Sequence, residues 1–347
     1  MNKLVKTTLA ASIALALTAC HNDKKETPPP PPPEPTTLDI AGGAVKGSLA
    51  FATVNVYAAS DTEKAILLAT TQTLENGDYS VQIVDESGAA IMGTFLIEVV
   101  ADEDTTMICD ASVCGDLVYG DTIPFGELLG LTLSTISYTD GSAIDADVNS
   151  LTTMATDTIL SAAAIEGTGL DLATISAEDF LAVQQDSSEI VGALLGVDLS
   201  ATNLFTIDIV DAFNADTVST TDSIVATLTL INASLTSLTV TDGSTLADEI
   251  VGYLDAIEEI TAVLLADPEA DLGSGETAAA LATVNATQEQ ISQEIVNIAV
   301  AVDLKSEGDP LPPLEEVPTE VDEDALGDII GDIIDGTGGT GGTGGEG

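Results

Sequence analysis

The chain has no arginine and no tryptophan, and a single histidine, His21, in 347 residues. Its seven basic side chains are all lysines and face 58 acidic ones, for a formal net charge of −51. No positive side chain lies between Ala65 and Leu304. Nucleic-acid binding rests on neutralising phosphates with Lys and Arg, so that class of function is excluded. Adsorption on anionic lipid headgroups fails for the same reason. Nucleophilic catalysis through a Ser–His–Asp or Cys–His arrangement needs a histidine inside the fold, and His21 directly follows an N-terminal apolar run. Carbohydrate subsites built on aromatic stacking lack material, because aromatic residues make up 3% of the chain. With no base, metal triad or phosphate loop, the sequence reads as non-enzymatic and calls for no cofactor. No second apolar run of about 18 residues occurs, so nothing beyond the N-terminus is expected to span a membrane.

What is present is apolar. Hydrophobic residues form 45% of the sequence, enough to fill a core, which separates this chain from acidic disordered proteins. The length has room for two domains of ordinary size. The acidity reads as a solvated surface that keeps the protein soluble in salty surroundings.

Lys3 and Lys6 precede a small apolar run that is too short to remain as a transmembrane helix, so residues 1–19 read as a signal peptide. Its end, Leu17-Thr18-Ala19-Cys20, resembles the lipobox of bacterial lipoproteins. The resemblance implies cleavage before Cys20, a diacylglycerol on its sulfur and a further acyl chain such as palmitate on its amine. Two or three chains make such an anchor lasting. His21 in place of Asp after the cysteine implies sorting to the outer membrane, facing the surface or the periplasm. Residues 20–37 are then a tether. Pro28–Pro33 and Pro35 can form neither helix nor ladder and hold an extended polyproline helix, so Pro28 to Pro35 stand off roughly 25 Å.

With Cys20 assigned to lipid, Cys109 and Cys114 remain as an even pair and read as a disulfide outside the cytoplasm. A metal site on this Cys-x4-Cys spacing lacks a second Cys or His pair.

Residues 38–140 show period two. Val54, Val56 and Ala58 alternate with Asn55, Tyr57 and Ala59; Tyr79, Val81 and Ile83 with Ser80 and Gln82; Phe95, Ile97 and Val99 with Leu96, Glu98 and Val100. Turn signals separate the runs, of which Asn76-Gly77 is the strongest because both residues tolerate positive φ. Ala44-Val45-Lys46-Gly47-Ser48, Ala52-Thr53-Val54-Asn55-Val56-Tyr57 and Thr73 to Val81 resemble the carboxypeptidase regulatory-like, or transthyretin-like, family. That resemblance implies a Greek-key β-sandwich of prealbumin or Ig-like kind, non-catalytic itself.

Residues 141–304 change to helical spacing, with Leu151, Met154, Ala155, Ile159 and Ala162 near one face. Ser176 with Asp179 resembles a capping box opening a helix over Ala177 to Leu195, and Gly196 supplies its stop. Further helices are expected within Thr217–Leu238, Ser244–Ala266 and Glu276–Val302. The whole reads as an all-α bundle. Leu151-Thr152-Thr153-Met154-Ala155 and Leu194-Leu195-Gly196-Val197-Asp198-Leu199 resemble segments that follow such sandwiches in uncharacterised bacterial surface lipoproteins.

Residues 305–347 read as an acidic, Gly-rich disordered tail, where prolines and carboxylates prevent packing. Within it, segment 325–335 places Leu326, Ile329, Ile330, Ile333 and Ile334 on one helical face, a motif for docking on a partner or back on its own bundle. Asp145-Ala146-Asp147-Val148-Asn149-Ser150 opens like an EF-hand, but Ser150 stands where glycine is needed and Thr156 where a bidentate Glu is needed. No metal cage is assigned, and divalent cations are expected only as weak, diffuse partners of the acidic surface. The expectation is a multidomain all-β plus all-α protein: a lipid-anchored envelope component acting in adhesion, surface structure or assembly with a protein partner. The alternatives are an accessory subunit docked through its tail and a weak Ca²⁺-binding surface component.

Overall fold

The computed structural model describes residues 33–165, 170–240, 243–275, 277–308 and 310–337, with side chains up to residue 331. Cys20, Ile333 and Ile334 of the expected sites lie outside these residues or their side chains. The protein is mixed β and α, with antiparallel sheets in its first part and helices in its second.

The sheet region opens with β1 (Thr36–Gly43), β2 (Thr53–Ala58), β3 (Ala69–Gln72), β4 (Asp78–Asp85) and β5 (Gly93–Val100). Short strands follow, β6 (Met107–Ile108), β7 (Val113–Cys114), β8 (Leu117–Val118) and β9 (Thr122–Ile123), then the single turn α1 (Phe125–Leu128) and β10 (Thr132–Thr139) and β11 (Ile144–Asp145). One sheet has the order β11-β1-β4 and a second β10-β5-β2-β3, with β11 parallel to β1. Alternation does what the sequence implies in β4, where Tyr79, Val81 and Ile83 are buried and Ser80, Gln82 and Val84 are exposed. At the turn before it, Gly77 takes φ 84°, which a Cβ would resist.

Strand β5 departs from this pattern, since residues from Thr94 to Val99 are buried on both faces. Ile97 and Val99 join the core shared by the two sheets, while Leu96 packs with Ile136, Ile159, Leu172 and Phe180. Helices cover the second face, and an apolar Leu96 at the outward position is the local trace of that cover.

The helical region comprises α2 (Ser150–Ala164), α3 (Ala177–Leu195), α4 (Ala215–Val218), α5 (Ser223–Ser234), α6 (Leu246–Ala266), α7 (Thr277–Lys305) and α8 (Glu323–Thr337). Helix α3 has its expected bounds. Ser176 Oγ accepts from Asp179 N at 3.2 Å, and Gly196 ends the helix at φ 69°. The threonine-rich stretch from Thr217 splits into α4 and α5, with Asp222 capping α5 by accepting from Val225 N at 2.9 Å. Buried threonines in helices return their hydroxyls to the preceding turn: Thr158 donates to Met154 O, Thr227 to Ser223 O and Thr261 to Ile257 O, at 2.8–2.9 Å.

Two findings revise the expected domain layout. The larger hydrophobic core runs from Leu38 in β1 through Leu151 and Ile231 to Ile298 in α7, and the smaller cluster about Leu96, Ile136 and Phe180 also joins strands to helices, so the two parts are not separately cored. The segment expected to be an unpacked tail also joins it. Leu311, Leu314 and Val317 pack against the core, Val321 is 8% exposed, and Leu326 and Ile330 are fully buried where α8 meets α3 and α6. Prolines bar helix and ladder but not side-chain packing, and the extended backbone finds side-chain acceptors: Glu315 N donates to Thr227 Oγ1 and Val321 N to Asn285 Oδ1, both at 2.9 Å. Pro318 lies so close to Gly196 that a Cβ there would come within 2.2 Å of the ring.

Candidate functional site: the lysine seam between sheets and helices

Three lysines occur among the described residues, and all three sit where the sheet region meets the helices. Lys46 is the most buried, with 0% exposure. It follows Val45 in the turn between β1 and β2, and Gly47 at φ 61° lets the chain pass Ile108 O, which a Cβ would meet at 2.3 Å. The ammonium donates to the backbone carbonyl of Asn232 in α5. Asn232 ties the joint further, its Nδ2 donating to Val45 O at 2.9 Å and its Oδ1 accepting from Ser150 N at 3.1 Å.

Two carboxylates bear electrostatically on Lys46. Asp110, 1% exposed inside the disulfide loop, accepts from Thr236 Oγ1 at 2.7 Å, and its Oδ2 has no protein partner. Asp211 accepts from Ser48 Oγ at 2.8 Å and from Ser48 N at 3.3 Å. Burial pulls the Lys46 ammonium down to about 8 while Asp110 and Asp211 pull it back up. Burial pushes Asp110 up to about 6 against the attraction of Lys46. Between about pH 6 and about pH 8 both groups are ionised, a buried charge pair that is costly to break from either side.

Lys64, at φ 51°, pairs with Glu98 of β5. The same lysine acts on Asp157 of α2 and Glu258 of α6. Burial raises Asp157 to about 7, and Glu258, Asp255 and Glu98 add to the rise while Lys64 opposes it. Lys305, at the end of α7, lies 4.0 Å from the centroid of Tyr119 and 4.2 Å from that of Phe213, one ring from each region. Tyr119 also donates to Ala212 O at 2.7 Å, and burial, followed by Asp211 and Asp110, holds its hydroxyl well above the usual phenol range.

Cys109 and Cys114 are disulfide-bonded, with Cα atoms 5.9 Å apart, and the bridge carries Asp110 in its loop. Beside it a cleft of about 700 Å³ opens between the β7–β8 hairpin and the chain leading into α6, lined by Val113, Leu117, Leu238 and Leu246 together with Asp116 and Glu127. The EF-hand-like string is used structurally. Asp147 Oδ1 accepts from Gly43 N at 2.7 Å, and Asn149 caps α2 by accepting from Leu151 N and Thr152 N at 2.9 Å. Among the described residues no group of three or more His, Cys, Asp or Glu side chains is placed to hold a metal ion. No described helix is long and apolar enough to cross a membrane.

Leu326 and Ile330 of the expected docking face are buried on the chain itself, with Ile329 half-buried beside them. Sequence reasoning read Lys46 only as part of a strand motif and missed the seam. The available signal was the scarcity of cations: a lysine set among Ala44, Val45 and Gly47 has nowhere polar to go except a distant carboxylate. Comparison with protein-family models, with curated proteins and with solved structures finds no match to this chain.

Proposed function

We propose that this is a non-enzymatic, lipid-anchored protein of the bacterial outer membrane. In it a Greek-key β-sandwich and a helical bundle form one rigid post, carried off the lipid surface by the proline tether and serving adhesion, surface structure or partner assembly. The observation that carries the reading is the sealed seam. Lys46 and Asp110, the buried ionisable pair of the fold, are at most 1% exposed. A catalytic group must touch its substrate, and these touch only the two halves of the protein they join. Their arrangement favours a mechanical role over a chemical one.

The accessory-subunit reading, with the tail as a docking element, has less support because Leu326 and Ile330 are already occupied in cis. The anchor is tested by growing cells on labelled palmitate. Label is expected on the wild type and absent from Cys20→Ala, and label that survives the substitution would overturn the lipoprotein assignment. Protease shaving of whole cells then separates a surface post from a periplasmic one.

A further inference from the structure

The geometry points to a second copy of this chain as the occupant of the free edge of β3, paired with it antiparallel about a two-fold axis through Thr70. The inference does not depend on the lipid anchor. Strand β3 ends its sheet, bonded to β2 alone. Thr73 N donates to Ala52 O at 2.9 Å, and alternation along an antiparallel strand then turns the backbone groups of Thr70 and Gln72 away from β2. Natural edges are blunted by charge, proline or cover. Here residues 65–74, Ala-Ile-Leu-Leu-Ala-Thr-Thr-Gln-Thr-Leu, contain no charge, no proline and no glycine, in a chain of net charge −51.

Large apolar side chains gather at the same edge. Ile66 is 66% exposed, Leu74 61%, Leu67 49% and Phe51 44%. Phe51 holds φ 62°, a conformation bulky residues seldom take, and lines a shallow groove of about 570 Å³ with Thr53 and residues 70–74. Among the described residues, both positive-φ positions other than glycine, Phe51 and Lys64, flank this strand.

Charge selects the partner and the register. Two bodies this acidic repel wherever their carboxylates meet, and residues 65–74 of this edge carry none. Pairing about Thr70 sets Ile66 opposite Leu74 of the second copy, meeting through side chains because Leu74 N and O are already bonded to Asp78 O and Gly77 N in the turn, and sets Glu75 opposite Ala65, with no like charges face to face. Moving the axis to Ala69 would set Glu63 opposite Glu75, and moving it to Thr71 would set Leu67 opposite Glu75. The resulting contact is isologous, as closed dimers require.

The test uses the full chain carrying Cys20→Ala, so that lipid cannot drive association. Mass is measured by sedimentation in about 0.5 M salt, where charge repulsion is screened to within about 4 Å. A dimer is expected. Thr70→Asp and Thr70→Lys each place like charges across the axis on an exposed side chain and should each be monomeric, with unchanged circular dichroism. Mixing the two variants should restore the dimer. A wild type that is still monomeric at about 0.1 mM, where a complex of micromolar Kd would be assembled, overturns the proposal. So does a dimer that survives either single variant, or a mixture that stays monomeric, the outcome expected if a different protein occupies the edge.

Discussion

The sheet region from Thr36 to Thr139 holds Lys46 and Lys64, whereas the helical region from Ser150 onward holds one basic residue, Lys305 at the end of α7. Both carry many carboxylates and manage them differently. In the helices, acids sit at N-termini, where Asp179, Asp222 and Asp248 meet unpaired backbone N–H groups or capping hydroxyls and the favourable end of the helix dipole. In the sheets there is no such dipole, and the region instead sets its two lysines between its own carboxylates, Asp110 and Glu98, and those of the helical region, Asp211, Asp157 and Glu258. A net-acidic chain has thus concentrated its scarce cations at the boundary where two acidic halves would otherwise repel. The boundary is consequently where the protein is most breakable.

Replacing Lys46 with Ala should have the largest effect, about 3–5 kcal/mol lost at pH 7, because Asp110 is left without its cation in a dry interior. Sheet and helix signals should melt together at a lower temperature. Two separate transitions would break the comparison by showing that the halves fold alone. The deficit should shrink at pH 5. Asp110 has a folded pKa above its unfolded one, so its charge costs stability above about pH 6, and that cost disappears as the pH falls through 6 toward 4.

Leu326→Ala tests whether α8 belongs to the helical region or merely rests on it. A loss of about 2–4 kcal/mol in chemical denaturation is expected for a fully buried leucine, and an unchanged midpoint would detach the tail from the fold. Replacing Cys109 and Cys114 together by Ser should cost less, about 2 kcal/mol, since the closed loop is short. Beyond that loss, Asp110 would be freed to move, so the variant's pH dependence between 5 and 7 should flatten.

The smallest effect has the opposite sign. Asp157 is raised to about 7, so its ionisation costs stability above pH 7 and costs nothing below its unfolded value near 4. Asp157→Asn should therefore melt higher than wild type at pH 8, by on the order of 1–2 kcal/mol once solvent screening is allowed for, and no higher at pH 4. Equal melting at both values would sharpen the comparison by leaving Lys46 as the one electrostatic tie that matters.

Much of this architecture was legible locally. Alternation at Tyr79, Val81 and Ile83 marked β4, and Ser176, Asp179 and Gly196 marked both ends of α3, because turns and caps are decided within a few residues. The disulfide followed from there being two cysteines left to pair. Helix α5 was harder, since β-branched threonines lower helix propensity and only burial shows that their hydroxyls turn back on the preceding carbonyls. The strap from Leu311 to Val321 was misread because proline content speaks to backbone form and not to what the intervening apolar side chains touch.

By itself, then, the sequence determined the order of β before α, the two ends of α3 and the acidity, all of which depend on residue type or on near neighbours. Tertiary structure alone decided that the two parts are not separately cored, that Lys46 reaches Asn232 across 186 positions of chain, and that α8 folds home. The physical reason is range: propensity and periodicity act over a turn or a strand, while desolvated charges and closed packing are settled by whichever distant segment arrives to cover them.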